Sequence, residues 1–446
     1  MRTLVIGLRA TGAVVASWCR ARGDDVTVVE ERPGQPEYAA RRAACEARGV
    51  RVVEGHPDWS ALIADADLMV PSPGVRPDHP VMVAARAAKI PIRGDLDLAV
   101  EAARVPVVVV TGTNGKSTVT TLISAMLEAS GRRAPAVGNI GRVALDVVAD
   151  DLDAIVIEAS SFQLHTVTAT FRPAVAVVLN LADDHLDWHG SFAAYAAAKA
   201  NAFRFQGPDD TVVWNQDDPA VADLVLTATG SRIGFTVADP AVGAVGWRDD
   251  ALIDATGHVL DRWAARRFAP HERANIAAAA AAAVPLGATV RGIASAVTGF
   301  QRLHHRTELV GKAGGVDYVD DSKATNPHAA VAAVLGYPSV VLLAGGDSKG
   351  VDLGALGAVT NRLRRVVAIG DTPEEVEHVF AGSVAVTRAA SMRDAVRVAA
   401  AAAEPGDVVL LSPACASFDW YSSYSERGDD FRAEVEALIG ASEAYE

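Results

Sequence analysis

Short apolar runs recur along the whole chain, at residues 3–6, 26–29, 66–70, 105–110, 154–157, 175–179, 316–319, 340–343, 366–369 and 408–411, with alanine-rich stretches of helical spacing between them. Most contain no polar residue, so as strands they would be apolar on both faces. Only a parallel sheet with helices packed on each side buries both faces of a strand. The pattern therefore predicts an α/β fold built from mostly parallel sheets, and it excludes all-helical and sandwich architectures. With 446 residues against roughly 150 for a typical domain, more than one such sheet is expected. New strand series begin near Arg93-Gly94 and near Thr298-Gly299, which divides the chain into 1–93, 94–298 and 299–446. The alanine tract at 277–283 follows Asn275 and reads as a helix whose small side chains allow close packing.

The run at 105–110 leads into Thr111-Gly112-Thr113-Asn114-Gly115-Lys116-Ser117-Thr118 and then into a helical pattern at 119–127. Strand, glycine-rich turn and helix in this order make a phosphate loop. The glycines let backbone N–H groups turn toward phosphate oxygens, Lys116 supplies charge for the outer phosphates, and Ser117 offers a hydroxyl to Mg2+. The run at 154–157 ends in Glu158, a carboxylate at the strand edge where α/β sheets bind ligands and hence a candidate magnesium ligand. The run at 175–179 delivers Asn180 and Asp183-Asp184-His185 to the same kind of edge, where His185 can serve a second metal.

Three polar loops follow strands in the last third: Asp320 to Asn326, Gly345 to Lys349 and Ser412 to Ser417. They bring Lys349, a cation for a carboxylate or phosphate, and the hydroxyls of Thr325 and Ser417. At the N-terminus Gly7-Leu8-Arg9-Ala10-Thr11-Gly12 follows the first strand, and Glu30-Glu31 the second. This resembles a dinucleotide fingerprint with Arg9 at its second glycine, where a side chain obstructs a dinucleotide pyrophosphate, so a mononucleotide diphosphate is the better expectation.

Charge and cysteine use narrow the function further. The chain has 41 Lys+Arg and 55 Asp+Glu, a net charge of −14, which leaves no diffuse basic surface for nucleic acid. Its three cysteines, Cys19, Cys45 and Cys415, form no C-x-x-C pair and predict reduced thiols rather than a disulfide framework or zinc ribbon. No stretch reaches the roughly 18 apolar residues of a membrane span, so a cytoplasmic protein without membrane insertion is expected.

Five segments together resemble the Mur ligases: T-G-T-N-G-K-S-T at 111–118, G-N-I-G at 138–141, E-A-S-S-F-Q-L at 158–164, D-S-K-A-T-N at 321–326 and S-P-A-C-A-S at 412–417. The last two are similar to the glutamate-adding member of that family. The resemblance implies three domains: a Rossmann-like one for the UDP part of a substrate, a central ATPase, and a Rossmann-like one for an amino acid. It implies a monomeric ATP-dependent, ADP-forming ligase. This would add D-glutamate to UDP-N-acetylmuramoyl-L-alanine through an acyl phosphate, in peptidoglycan precursor synthesis, with two Mg2+ ions. By the same resemblance Gly112, Thr113, Asn114, Gly115, Lys116, Ser117, Thr118, Arg306 and Asp321 would hold ATP. Ser117, Glu158, His185 and a carbamylated Lys199 would be the metal ligands. Thr11 and Arg32 would contact the uracil-diphosphate part, Ser72 would be a further substrate residue, Asn139, Ser160 and Gln163 would line the substrate side, and Thr325, Lys349, Ser417 and Tyr424 would surround the amino acid. The chain departs from the family pattern at Arg9, at Glu272 after His271, at His304 and at Tyr424, and none of these removes a phosphate or metal ligand. A sister Mur ligase or a folylpolyglutamate synthase-like enzyme is the alternative of the same class. A dehydrogenase would need the glycine that Arg9 replaces, and a non-catalytic nucleotide-binding regulator would have lost Lys116, Glu158 or Lys199.

Overall fold

Each of the apolar runs becomes a strand, and in the computed structural model, which describes residues 1–34, 37–262 and 268–443, they sort into three sheets. The first holds β1 (Arg2–Ile6), β2 (Asp25–Glu30), β3 (Arg51–Glu54) and β4 (Leu68–Pro71), all parallel, in the order β3-β2-β1-β4. The chain winds outward from β1 to β3 and returns to the other side of β1. The order thus reverses beside β1, and ligands of open parallel sheets lie in the crevice such a reversal leaves. Residues 91–93 run on beside β4, where Met69 N–H donates to the Pro91 carbonyl at 2.9 Å and Arg93 N–H to the Met69 carbonyl at 3.0 Å.

The second sheet contains β5 (Val107–Thr111), β6 (Ala136–Gly138), β7 (Ile155–Glu158), β8 (Val175–Val178), β9 (Thr211–Asn215), β10 (Ser231–Phe235), β11 (Ala244–Arg248), β12 (Ala251–Ile253) and β13 (Val259–Arg262). Their order is β13-β12-β11-β10-β9-β8-β5-β7-β6, parallel from β6 to β11 and antiparallel beyond. The fully buried valines of β5 lie between β7 and β8, so the loops after these three strands open at one edge. Helix Pro270–Ala283 carries the alanine tract, and Ala277 to Ala283 are all buried, as small side chains in close packing require.

The third sheet has β14 (Glu308–Ala313), β15 (Val316–Asp320), β16 (Val340–Ala344), β17 (Leu363–Ala368), β18 (Val386–Arg388) and β19 (Val408–Leu411), in the order β14-β15-β19-β16-β17-β18 with only β14 antiparallel. Alternate residues face opposite cores. Val340, Leu342, Val366 and Leu410 belong to one cluster, and Val341, Leu343, Val367, Val409 and Leu411 to the other. At about 1.5–3 kcal/mol per fully buried side chain of this size, both faces drive folding.

The first two sheets share one core, in which Val5, Val15 and Val28 join a cluster with Val109, Ile157 and Val178. Contacts accordingly group Met1–Leu181, the chain from Trp188 through β13, and Ala274–Gly299 into one unit, and Ala182–Asp187, the residues up to Arg273 and the chain from Phe300 onward into another. Among the described residues no helix is long and apolar enough to cross a membrane.

Candidate active site

The loop after β5 has the architecture its glycines predict. Helix Lys116–Glu128 starts at Lys116, and its N-cap Gly115 has φ +85°. A Cβ on Gly115 would lie 2.6 Å from Asn275 Oδ1, and one on Gly112 would lie 2.8 Å from Leu179 Cβ, so no larger residue fits either position without displacement. The loop is pinned from β8: Thr113 N–H donates to the Asn180 carbonyl at 2.9 Å, Asn114 N–H to Asn180 Oδ1 at 2.7 Å, and Asn180 Nδ2 to the Asn114 carbonyl at 3.0 Å. Lys116 Nζ donates to the carbonyls of Gly112 and Thr113, both at 2.8 Å, and Ser117 is buried at the start of the helix, next to half-buried Thr118. The positive end of the helix dipole and the backbone N–H groups of its first turn face the same place.

Glu158 ends β7 at 2% exposure. Its Oε1 accepts from Asn139 Nδ2 at 2.8 Å, while its Oε2 is buried with no hydrogen-bond partner. The G-N-I-G turn fits against it: Gly138 has φ +104°, and a Cβ there would meet the Glu158 carbonyl at 2.5 Å. A buried carboxylate oxygen left unpaired is costly unless something completes it. Oxygen donors from a carboxylate and from the Ser117 hydroxyl suit a hard cation such as Mg2+.

Lys199 comes to this edge from helix Phe192–Ala200, 1% exposed. Its Nζ donates to the Gly112 carbonyl at 2.7 Å and lies 4.6 Å from the centre of the Tyr195 ring, whose hydroxyl is 2.9 Å from Thr113 Oγ1. Ser160 caps helix Ser161–Leu164. Its Oγ accepts from Gln163 N–H at 3.2 Å, and Gln163 Oε1 accepts from Ser160 N–H and Oγ–H at 3.1 Å each. His185, at φ +54° with Nδ1 3.5 Å from Asp184 Oδ1, belongs to the segment grouped with the C-terminal unit, whereas Glu158 and Lys199 belong to the other.

In the third sheet the loops after β15, β16 and β19 are stitched into one edge. Asp321 N–H donates to the Leu411 carbonyl at 2.8 Å, Ala414 N–H to the Ala324 carbonyl at 2.9 Å, Gly345 N–H to the Pro413 carbonyl at 2.8 Å and Asp347 N–H to the Ala416 carbonyl at 3.0 Å. Thr325 and Lys349 are exposed there, Tyr424 is half-buried and Ser417 is buried. Lys349 Nζ lies 4.8 Å from the centre of the Phe418 ring. Lys323 Nζ lies 3.8 Å above the Tyr424 ring. Burial raises the Tyr424 phenol, but the hydrogen bond and charge of Lys323 outweigh it and leave the hydroxyl below its ordinary range. Arg306 sits between two residues in left-handed conformation, His305 at φ +60° and Thr307 at φ +44°. The turn is held by His305 Nδ1, 2.7 Å from Asp320 Oδ2, and by Thr307 N–H donating to Asp321 Oδ1 at 3.1 Å. Burial pushes the Asp321 carboxyl up to about 7, against the bonds from Ser412 Oγ at 2.8 Å and Thr307.

At the first sheet Thr11 lies in the opening turn of helix Ala10–Ala21 and Ser72 directly after β4, with a buried, unpartnered Oγ. Glu30 bridges the neighbouring turns, accepting from Leu8 N–H at 2.7 Å and from the N–H of exposed Arg32 at 2.9 Å. Arg9 has φ −76° and ψ −175°, extended backbone open to any residue, and its side chain is exposed. The fingerprint's second glycine is therefore not required here by backbone conformation.

The phosphate loop, Glu158, Asn139 and Lys199 thus converge on one sheet edge. Ser160 and Gln163 share a turn beyond it, and Arg306, Asp321, Thr325, Lys349, Ser417 and Tyr424 occupy the edge of the third sheet. Asn180, which holds the loop, and Asn275, which lies against Gly115, are absent from the residues predicted as site members. So is Arg427, 2% exposed, which donates to Ser322 Oγ at 3.0 Å and to the carbonyls of Ser322, Cys415 and Ala416 at 2.8, 3.1 and 3.1 Å. The departures also have local reasons. Glu272 accepts from Ala269 N–H at 2.8 Å and pairs with Arg302 at 2.9 Å, and His304 Nδ1 lies 3.3 Å from Glu308.

Three family domains match the chain: a Mur ligase MurD-like N-terminal domain over residues 1–94, a Mur ligase middle domain over 110–252 and a Mur ligase glutamate ligase domain over 305–415. The UDP-N-acetylmuramoylalanine–D-glutamate ligase of Thermobifida fusca is 41% identical over 466 residues, 98% of this chain and 99% of that protein. Proteins of the same name are 42% identical in Frankia casuarinae (98% of this chain, 94% of theirs) and 39% identical in Mycobacterium tuberculosis (98% and 96%). Among solved structures, a pseudomurein peptide ligase type C from Methanothermus fervidus has a TM-score of 0.62 at 17% identity, covering 98% of this chain and 100% of that one. A MurF ligase from Thermotoga maritima in complex with ADP has a TM-score of 0.60 at 18% identity, covering 98% of each. These structures share the three-domain α/β fold.

Proposed function

The chain belongs to the Mur ligase family, and from that premise we propose that it joins D-glutamate to UDP-N-acetylmuramoyl-L-alanine, splitting ATP into ADP and phosphate as the amide forms, in peptidoglycan precursor synthesis. The observation that carries the reading is the pairing of an intact phosphate loop with a buried, half-satisfied Glu158 beside it. Both substrates that carry phosphate, ATP and a UDP-linked sugar, are cytoplasmic metabolites, which supports action in the cytoplasm.

We assign residues 1–93 to the UDP end of the acceptor, 94–298 to ATP and 299–446 to the amino acid. Gly112 to Thr118 receive the phosphates. Lys116 already stands at the loop mouth, and Arg306 and Asp321 serve the γ-phosphate and the ribose. Ser117, Glu158, His185 and a carbamate formed on Lys199 are the residues that would hold Mg2+, whose charge would offset that of the phosphate oxygens. Thr11, Arg32 and Ser72 bind the UDP end of the acceptor, and Asn139, Ser160 and Gln163 bind its L-alanine end. The alanine carboxylate attacks the γ-phosphorus, forming an acyl phosphate and releasing ADP. The amine of D-glutamate, held through its carboxylates by Thr325, Lys349 and Ser417 with Tyr424 beside them, then attacks the acyl carbon. The C–O bond to phosphate breaks, inorganic phosphate leaves, and the amine loses a proton as the amide forms. Holding the amine at about 3–3.5 Å from that carbon supplies much of the rate enhancement.

The test is phosphate release measured with each component omitted in turn, against a panel of amino acids and UDP-linked acceptors. Release that requires ATP, UDP-N-acetylmuramoyl-L-alanine and glutamate together is expected. Release with another amino acid or acceptor would assign the chain to a sister activity.

A further inference from the structure

Asp95 opens helix Asp95–Ala102, through which the chain passes from the first sheet into the second. It is 2% exposed, and its Oδ2 accepts from Gln163 Nε2 at 3.0 Å. The other end of the same amide, Gln163 Oε1, accepts from both N–H and Oγ–H of Ser160 at 3.1 Å. A glutamine side chain has one accepting and one donating end of nearly the same shape, so its orientation is decided by what each end meets. An ionised Asp95 only accepts. It therefore takes the NH2 end and leaves the oxygen for Ser160. Burial raises the Asp95 carboxyl to about 6, and the hydrogen bonds from Gln163 and from the backbone oppose that rise.

Both flanks of Asp95 are fixed. On one side Arg93 N–H bonds the Met69 carbonyl in β4, the strand that ends beside Ser72. On the other Asp97, fully buried, accepts from Arg93 Nε at 2.9 Å, Thr168 Oγ1 at 2.7 Å and Thr170 Oγ1 at 3.1 Å, tying the helix start to the chain just beyond Gln163. The Asp95–Gln163 bond thus closes a continuous hydrogen-bonded path from the first sheet to the turn that follows Glu158.

We propose that Asp95 is a positioning residue for the acceptor: by setting the orientation of the Gln163 amide it fixes Ser160, and it couples the sheet that binds the UDP end of the acceptor to the turn that meets its reacting end. This rests on the ligase reading above.

The experiment is steady-state kinetics of phosphate release for wild type, Asp95→Leu, Asp95→Asn, Gln163→Glu and the Asp95→Asn/Gln163→Glu pair, with KM for ATP and for the UDP-linked acceptor measured separately. Asp95→Leu should lower kcat/KM for the acceptor about 10- to 100-fold, the loss typical of one charge-assisted bond, with KM for ATP within about twofold. Asp95→Asn keeps an accepting oxygen and should retain most activity. Gln163→Glu faces two carboxylates at each other and should lose a similar factor. Adding Asp95→Asn should recover most of it, because the introduced amide then donates to the introduced carboxylate, which still accepts from Ser160. The exchange pair decides the matter even if Asp95→Leu does not fold. Unchanged acceptor kinetics in Asp95→Leu, losses spread equally over ATP and acceptor, or no recovery in the pair would overturn the proposal. If wild type releases no acceptor-dependent phosphate, the ligase reading itself fails.

Discussion

Lys116 and Lys199 share one acceptor: the Gly112 carbonyl oxygen lies 2.8 Å from Lys116 Nζ and 2.7 Å from Lys199 Nζ. The shared oxygen brings both side-chain nitrogens to the phosphate loop, with Lys199 almost wholly buried. Turning the Lys199 amine into a carbamate would present oxygens that a cation can bind beside that loop, which an ammonium cannot do.

Lys199→Ala is therefore expected to lose most activity and to regain part of it with added short carboxylates. Wild type supplied with carbon-13 bicarbonate should show a carbamate resonance that the variant lacks. Full activity in Lys199→Ala, or in wild type stripped of CO2, would refute the assignment.

Glu158 gives a second prediction, because its function and its stability point in opposite directions. Glu158→Gln keeps an oxygen for Asn139 Nδ2 but removes a buried charge whose Oε2 has no partner. The glutamine places an NH2 at that same unpartnered position, so an unsatisfied group remains, but the larger cost of a buried charge is removed and the variant should melt at or slightly above the wild-type temperature. Turnover should fall at least about 100-fold, with a weakened dependence on Mg2+, as expected when a charge that acts in the transition state is removed. A destabilised variant whose Mg2+ dependence is unchanged would show that Glu158 is a structural acid.

The parts of this site that were legible in the sequence are those carried by a single contiguous segment. The phosphate loop is one: strand, glycines, lysine and helix follow each other in the chain, and each step is local chemistry. The buried strands are another, since β16 and β19 are unbroken apolar runs and β5 is four valines before Thr111. By contrast β10 contains Arg232 and Gly234, and β12 is three residues long, so neither carries a periodic signal. Asn275 matters only because helix Pro270–Ala283 brings it against Gly115. Arg427 reads as a surface arginine between Glu426 and Gly428, and only burial against the loops after β15 and β19 makes it a clamp, with its guanidinium pulled down to about 10. Lys199 carries no local signal and enters through family resemblance alone.

Asp321 predicts how the C-terminal unit responds to pH. Its carboxyl is raised by burial from 3.8 to about 7, so the neutral form is favoured in the folded state. That contribution is complete below about pH 4, where the unfolded group is also protonated, and it is lost as pH rises through about 7. At about 1.36 kcal/mol for each tenfold change in proton affinity, its upper limit is on the order of 4 kcal/mol. Asp321→Asn should flatten the stability profile between about pH 5 and 8, measured by denaturant midpoint, and be more stable relative to wild type at the alkaline end. Parallel profiles would show that Asp321 is ionised throughout.

The handedness of the amino acid is the sharpest test of the third-sheet edge. Lys349 and the hydroxyls of Thr325 and Ser417 stand on three loops that backbone hydrogen bonds hold together, so two carboxylates bound there would have a fixed separation and direction. The amine must then point at the acyl carbon, and attack requires it within about 3–3.5 Å. Inverting the α-carbon with both carboxylates in place swings the amine away. Restoring its aim means giving up a charged hydrogen bond, a loss of roughly 1.5–3 kcal/mol, or about ten- to a hundredfold. D-Aspartate, one methylene shorter, should fail by losing reach to one anchor. Tyr424, whose hydroxyl Lys323 holds below its ordinary pKa, places a polar group beside this pocket, and Tyr424→Phe is the variant that reads its influence. Phosphate release with UDP-N-acetylmuramoyl-L-alanine and each enantiomer of glutamate is the measurement. D-Glutamate should be preferred at least tenfold, and equal rates or a preference for L-glutamate would reject the assignment of this edge while leaving the ligase chemistry in place.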